Sequence, residues 1–153
     1  MKRIQFKTEI NATAEKVYKH MLGLETINSY QQWTAEFNPT STYEGTWQKG
    51  SKMLFVGTDE NGKRGGIIST IAENIPNKFV SIKHYGLVSE GAEITSGPDV
   101  EKWTGGFENY SFEEDNNKTT LTIDIDVTEE YMDYFNTTWP KALAKLKELV
   151  EQN

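Results

Sequence analysis

A chain of 153 residues is long enough for one domain with a sizeable core, although Leu, Ile, Val and Phe together supply only about a fifth of it, close to the floor for a folded chain of high net charge. With 16 basic and 23 acidic residues the net charge is -7, so a nucleic-acid backbone or an anionic membrane surface is repelled and neither is expected as a partner. The absence of cysteine excludes disulfides, thiolate catalysis and Cys-ligated zinc, and the 12% of aromatic residues, four of them Trp, must carry much of the buried area.

Ile4, Phe6, Thr8 and Ile10 alternate with Arg3, Gln5, Lys7 and Glu9, the period of a half-buried strand. This N-terminus alternates at once, and no apolar run approaches the roughly 18 residues of a membrane span, so a cytoplasmic chain with no membrane partner is expected. Ala14, Val17, Tyr18, Met21 and Leu22 then fall at helical spacing between a Thr13 cap and a Gly23 stop. A second short helix is predicted from Ile27 to about Phe37, where Ile27, Tyr30, Trp33 and Phe37 recur at three and four and Pro39 ends the run.

From Ser41 to Val127 turn signals arrive at strand spacing, at Gln48-Lys49-Gly50, Asp59 to Gly62, Ile75-Pro76-Asn77 and Asp115-Asn116-Asn117. The spacing predicts five or six antiparallel strands, the clearest at Met53 to Thr58, Ile67 to Ile75, Phe79 to Leu87, Phe107 to Glu113 and Thr119 to Val127. In the last, Leu121, Ile123, Ile125 and Val127 alternate with Thr122, Asp124 and Asp126, giving one dry face and one wet one. Residues 88 to 102 show no sustained period and are expected to form a long loop, mobile or lid-like.

A long helix closes the chain, with Thr128 as its cap, Glu129 and Glu130 at its start and an apolar stripe of Met132, Phe135, Trp139, Leu143, Leu146 and Val150. Pro140 lies inside that stripe, so a kink or a fresh start is expected near Trp139. No repeat, linker or break in composition divides the chain, and one domain over 1–153 is expected.

Particular residues now sharpen the order of elements. Ile10, Ala12, Glu15, Val17 and Tyr18 resemble the strand-to-helix opening of the START-like (Bet v 1-like, SRPBCC) superfamily. Within it, Gly50 to Phe55 followed by Asn61-Gly62-Lys63 resembles the glycine-led strand and hairpin of the activator of Hsp 90 ATPase homologue-like family, and Trp139, Leu143, Leu146 and Lys147 resemble its final helix. The resemblance spans essentially the whole chain. It departs at Thr138 and Pro140, which flank the Trp, and at the long 88 to 102 segment. It implies an α+β helix-grip fold, in which a curved antiparallel sheet wraps a long C-terminal helix and leaves an apolar cavity between them. Chaperone activation is not implied, because 153 residues leave no room for a second, chaperone-binding domain.

Chemistry-bearing residues are few. His84 follows Val80 and Ile82 on one strand side, placing it as a polar anchor or general base, or as a hydrogen-bonded core histidine. Glu108 shares its strand side with Tyr110 and Phe112, from which a carboxylate can pair with His84 as an acid-base couple or remain a strand charge. His20 falls on the charged side of its helix, Asp124 and Asp126 on a solvated face, and two isolated His make no metal motif. Asp59 to Gly62 lacks the ligands of a calcium loop and reads as a hairpin turn, and Gly65-Gly66 follows no strand-to-helix junction and cannot cradle phosphate. No cofactor is expected. Met53, Phe55, Val80, Ile82, His84, Tyr110, Phe112, Met132, Phe135 and Trp139 are the candidates to line the facing surfaces of sheet and helix. Such a surface closes as ordinary core or encloses an apolar ligand, and the resemblance adds weight to the cavity. The expected function is binding of a small hydrophobic molecule. The alternatives are a polyketide-cyclase or isomerase-like enzyme using His84 and Glu108, or a co-chaperone-like module with a protein partner.

Overall fold

The computed structural model describes residues 1–152. Strand β1 (Lys2–Ile10) leads into helices α1 (Ala14–Leu22) and α2 (Ile27–Thr34). The strands β2 (Thr42–Gly45), β3 (Lys52–Thr58), β4 (Arg64–Ile75), β5 (Phe79–Ser89) and β6 (Ala92–Ile94) follow. A short helix α3 (Pro98–Glu101), strands β7 (Phe107–Asp115) and β8 (Lys118–Val127), one 3-10 turn (Glu129–Tyr131) and the long helix α4 (Met132–Glu151) complete the chain. The strands form one antiparallel sheet in the order β1-β8-β7-β5-β4-β3-β2, with β6 paired to β5. This is the α+β helix-grip architecture, an open curved sheet with a long C-terminal helix and two short helices after its first strand.

Local chemistry sets the entry helices. The Thr13 hydroxyl accepts from the Lys16 N–H and caps α1. Gly23 ends it in the left-handed region at φ 67°, where a Cβ would stand 3.0 Å from that of Tyr30 and force the two helices apart. Two irregularities bend the sheet along β4 and β5: Ala72 is an extra residue opposite Ile82 and Ser81, and Tyr85 an extra residue opposite Ile68 and Ser69. Each bulge increases local twist, and the second brings Ser69 directly opposite His84.

The main core joins the inner face of the sheet to α1, α2 and the C-terminal half of α4, through Val17, Met21, Leu22, Ile82, Leu121, Ile123, Leu143 and Leu146. Residues of opposite alternation on the same strands, Val56, Ile68 and Val88 with Leu54 and Tyr85, form a smaller cluster.

Several local expectations change: seven strands, not five or six, lie between Ser41 and Val127, and α2 ends at Thr34 instead of near Phe37. The 88 to 102 segment is largely ordered by pairing and by an anchor: β5 runs on through Ser89, turns at Glu90 and Gly91 (φ 50° and 83°), and β6 returns along it. Val100 of α3 then sinks into the protein. Helix α4 makes no fresh start at Pro140 and runs unbroken from Met132 to Glu151. Thr128 precedes a single 3-10 turn instead of capping α4, and its hydroxyl makes no cap hydrogen bond.

Candidate functional site

A cavity of about 730 Å³ lies between the sheet, α2 and the first half of α4, within the range of roughly 300–1,000 Å³ for small-molecule pockets. Its rim carries Asp59, Asn61 and Lys63 of the β3–β4 hairpin, all exposed. Inside, aromatic rings follow one another along the wall. Phe55 of β3 meets Tyr30 at 6.4 Å between centroids, Tyr30 meets Trp33 at 5.6 Å, Trp33 meets Trp139 at 5.7 Å, and Trp139 meets Tyr110 at 6.3 Å. Helical spacing on α2 points Tyr30 and Trp33 the same way, and α4 brings Trp139 down onto them.

The aromatic wall ends on a polar chain set by strand register. Ser69 and His84 are cross-strand neighbours, and Ser69 Oγ lies 2.7 Å from His84 Nδ1. Across β5 and β7, His84 Nε2 lies 3.3 Å from Glu108 Oε1, while the Tyr110 hydroxyl donates to Glu108 Oε2. The imidazole thus joins the Ser69 hydroxyl on one side to the Glu108 carboxyl on the other. Burial, reinforced by the nearby Glu108 charge, pushes the Tyr110 and Tyr30 phenols well above their ordinary range, so both remain protonated donors. The arrangement offers an apolar chamber with one carboxylate, one imidazole and two phenols on its inner wall.

Of the residues singled out from sequence, Phe55, His84, Glu108, Tyr110, Phe135 and Trp139 line this cavity. Met53, Val80, Ile82, Phe112 and Met132 stand outside the cavity lining. The first four are buried in the main core. Phe112, for example, packs edge-on against Tyr18 of α1 at 5.7 Å, so that end of the sheet is already covered. Met132, half-buried, stands at the first position of α4, outside the lining. Sequence reasoning missed Tyr30, Trp33 and Ser69. The helical spacing of Tyr30 and Trp33 was the available signal, whereas Ser69 has meaning only once the bulge at Tyr85 fixes its partner.

Elsewhere the expectations about charged groups fit the geometry. His20 Nδ1 lies 2.9 Å from the Lys16 carbonyl on α1, Asp59 accepts the N–H groups of Asn61 and Lys63 within the hairpin turn, and Gly65 and Gly66 lie within β4. Asp124 and Asp126 pair across the sheet surface with Gln5 and Arg3. No group of three or more metal-ligating side chains occurs among the described residues, and no helix among them is long and apolar enough to cross a membrane.

No protein-family model matches the chain, and no curated protein matches it. Solved structures do. The Aha1 dimer from Colwellia psychrerythraea is 25% identical, with a TM-score of 0.67 over 99% of this chain and 97% of that one. Protein MLL2253 from Mesorhizobium loti is 12% identical, with a TM-score of 0.72 over 99% and 98%. CalU16 from Micromonospora echinospora is 15% identical, with a TM-score of 0.64 over 97% of this chain and 73% of that one. By its sheet order, its paired entry helices and its long closing helix, the chain has the helix-grip fold of the START-like (SRPBCC, Bet v 1-like) superfamily, shared with the activator of Hsp 90 ATPase homologue.

Proposed function

We propose that the chain binds a small, predominantly apolar molecule in the cavity between the sheet and α4. The observation that carries this reading is the cavity itself, about 730 Å³ of space bordered by Phe55, Tyr110, Phe135 and Trp139. A space of that size forgoes dispersion contacts that a filled core would make, and an apolar guest restores them. Native mass spectrometry of freshly purified protein, followed by extraction, identifies any bound molecule. Titration with a neutral, environment-sensitive apolar reporter gives saturable binding at one site if the reading holds, and none if the space stays closed to guests in solution.

A second reading, a cyclase- or isomerase-like enzyme, is favoured by one observation, the close approach of His84, hydrogen-bonded to Ser69, to Glu108 at the border of the same space. A positioned imidazole-carboxylate pair in an apolar chamber suits proton transfer to or from a bound enol or aromatic. Turnover of a polyketide-like substrate that drops about a hundredfold or more in His84→Ala, with stability unchanged, would put the enzyme in place of the binder.

A further inference from the structure

The geometry points to a cationic ligand, an amine carried on an apolar body, with its ammonium group seated at Glu108 beside the Tyr30 and Tyr110 rings. This rests on the cavity being a binding site and adds the charge of the guest. A carboxylate has room for about four hydrogen bonds, and Glu108 receives one from Tyr110 and faces one imidazole nitrogen of His84. Its side chain keeps 18% of its surface exposed and borders the cavity, so acceptor capacity remains on the side from which a guest approaches.

Among the described residues no lysine or arginine pairs with Glu108, and of the groups beside it Tyr30 and Tyr110 are neutral while His84 stands at 3.3 Å. The nearest basic side chains of the lining, Lys63 and Arg64, stand at the rim and are already paired, with Glu90 at 2.8 Å and Glu44 at 2.7 Å. Aromatic faces add attraction for a cation and none for an anion, and here the aromatic wall leads directly to the carboxylate. The net charge of -7 also favours approach of a cation from solution. A fatty acid would place its carboxylate against Glu108, and a neutral alcohol would gain the apolar contacts alone.

Octylammonium, octanol and octanoate share one chain and differ only in the head group, and each displaces the neutral reporter if it enters the cavity. At neutral pH octylammonium is expected to bind wild type at least about tenfold tighter than octanol, a difference of about 1.4 kcal/mol, with octanoate weakest. In Glu108→Gln the ammonium advantage should vanish while octanol affinity stays within about twofold. Equal or tighter binding of octanol by wild type overturns the inference, as does an ammonium advantage that survives Glu108→Gln. The wild-type ratio decides alone if that variant fails to fold. Binding of reporter and octanol without an ammonium advantage removes the charge selection and leaves the cavity reading intact; failure of the reporter and all three compounds to bind removes both.

Discussion

The two ends of the helix-sheet interface use the same residue types to opposite effect. At the closed end Ala142, Leu143, Leu146 and Val150 of α4 are buried against the sheet, and α1 packs alongside α4, β7 and β8. At the open end Phe135 is half-buried, Tyr134 keeps 45% of its surface exposed, and aromatic rings of α2 face the hollow. An apolar stripe becomes core only where a second element fills in behind it. The ends are also held differently. At the closed end burial is joined by links such as Lys147 to the Glu9 carbonyl and Glu151 to the Asn11 N–H, whereas the open end relies on exposed ones: Arg64 to Glu44, Lys63 to Glu90, and the Arg3–Asp126 pair whose carboxylate also accepts the Phe107 N–H next to Glu108.

The contrast is broken most directly by truncating α4 at each end. Leu146→Ala removes a fully buried side chain and is expected to cost roughly 2–5 kcal/mol in urea unfolding, while Phe135→Ala should cost no more than about half as much. Equal losses would mean that the open end is packed as tightly as the closed one. The next largest effect is expected at Gly66 of β4, where φ is 157° and a Cβ would stand 2.0 Å from the Phe55 carbonyl oxygen, a backbone atom. Gly66→Ala must push β3 from β4, with an expected loss of roughly 1–3 kcal/mol and weaker reporter binding, because Phe55 moves with its strand.

How far these contrasts were legible in the chain depends on what alternation encodes. Period-2 and helical patterns placed β1, α1, β8 and α4, since each presents one dry face along its length. Alternation reports the face of a sheet and not the position along it. Met53 and Phe55 share a face of β3, yet one is fully buried in core and the other lines the cavity. The pairing of His84 with Glu108 followed from strand faces, whereas Ser69 did not, because an unpaired Tyr85 shifts the register by one. The β5–β6 hairpin was hidden by Glu90 at a left-handed turn position that Asn or Gly more often occupies.

Smaller effects sharpen the picture of the polar stitching. Ser69→Ala leaves His84 Nδ1 buried without its partner and is expected to cost about 1–2 kcal/mol in urea unfolding; an unchanged midpoint would show that the imidazole turns to another acceptor or donor. Least costly is Asp126→Asn. The hydrogen bonds from Arg3 hold the Asp126 carboxyl below its ordinary value of 3.8, so its contribution is complete above that value and is lost as pH falls through the lower folded value. Half of the Arg3 side chain is exposed, which limits the pair to no more than about 1 kcal/mol. The stability gap between wild type and Asp126→Asn should be present at neutral pH and narrow below 3.8, and a gap independent of pH would mean that the loss does not come from the ionised carboxylate.

Pro140 stands between these two halves of α4, one residue after Trp139. Having no N–H, it leaves the Asn136 carbonyl without a rung in the helical ladder, and both residues lie on the exposed side where water takes up the slack. The helix is therefore continuous in shape but interrupted in cooperativity. Amide protons after the seam are guarded by the closed end, while those before it depend on a short, half-exposed stretch for protection from exchange. Exchange before the seam therefore reports how firmly the buried Thr138 and Trp139 hold the wall of the cavity.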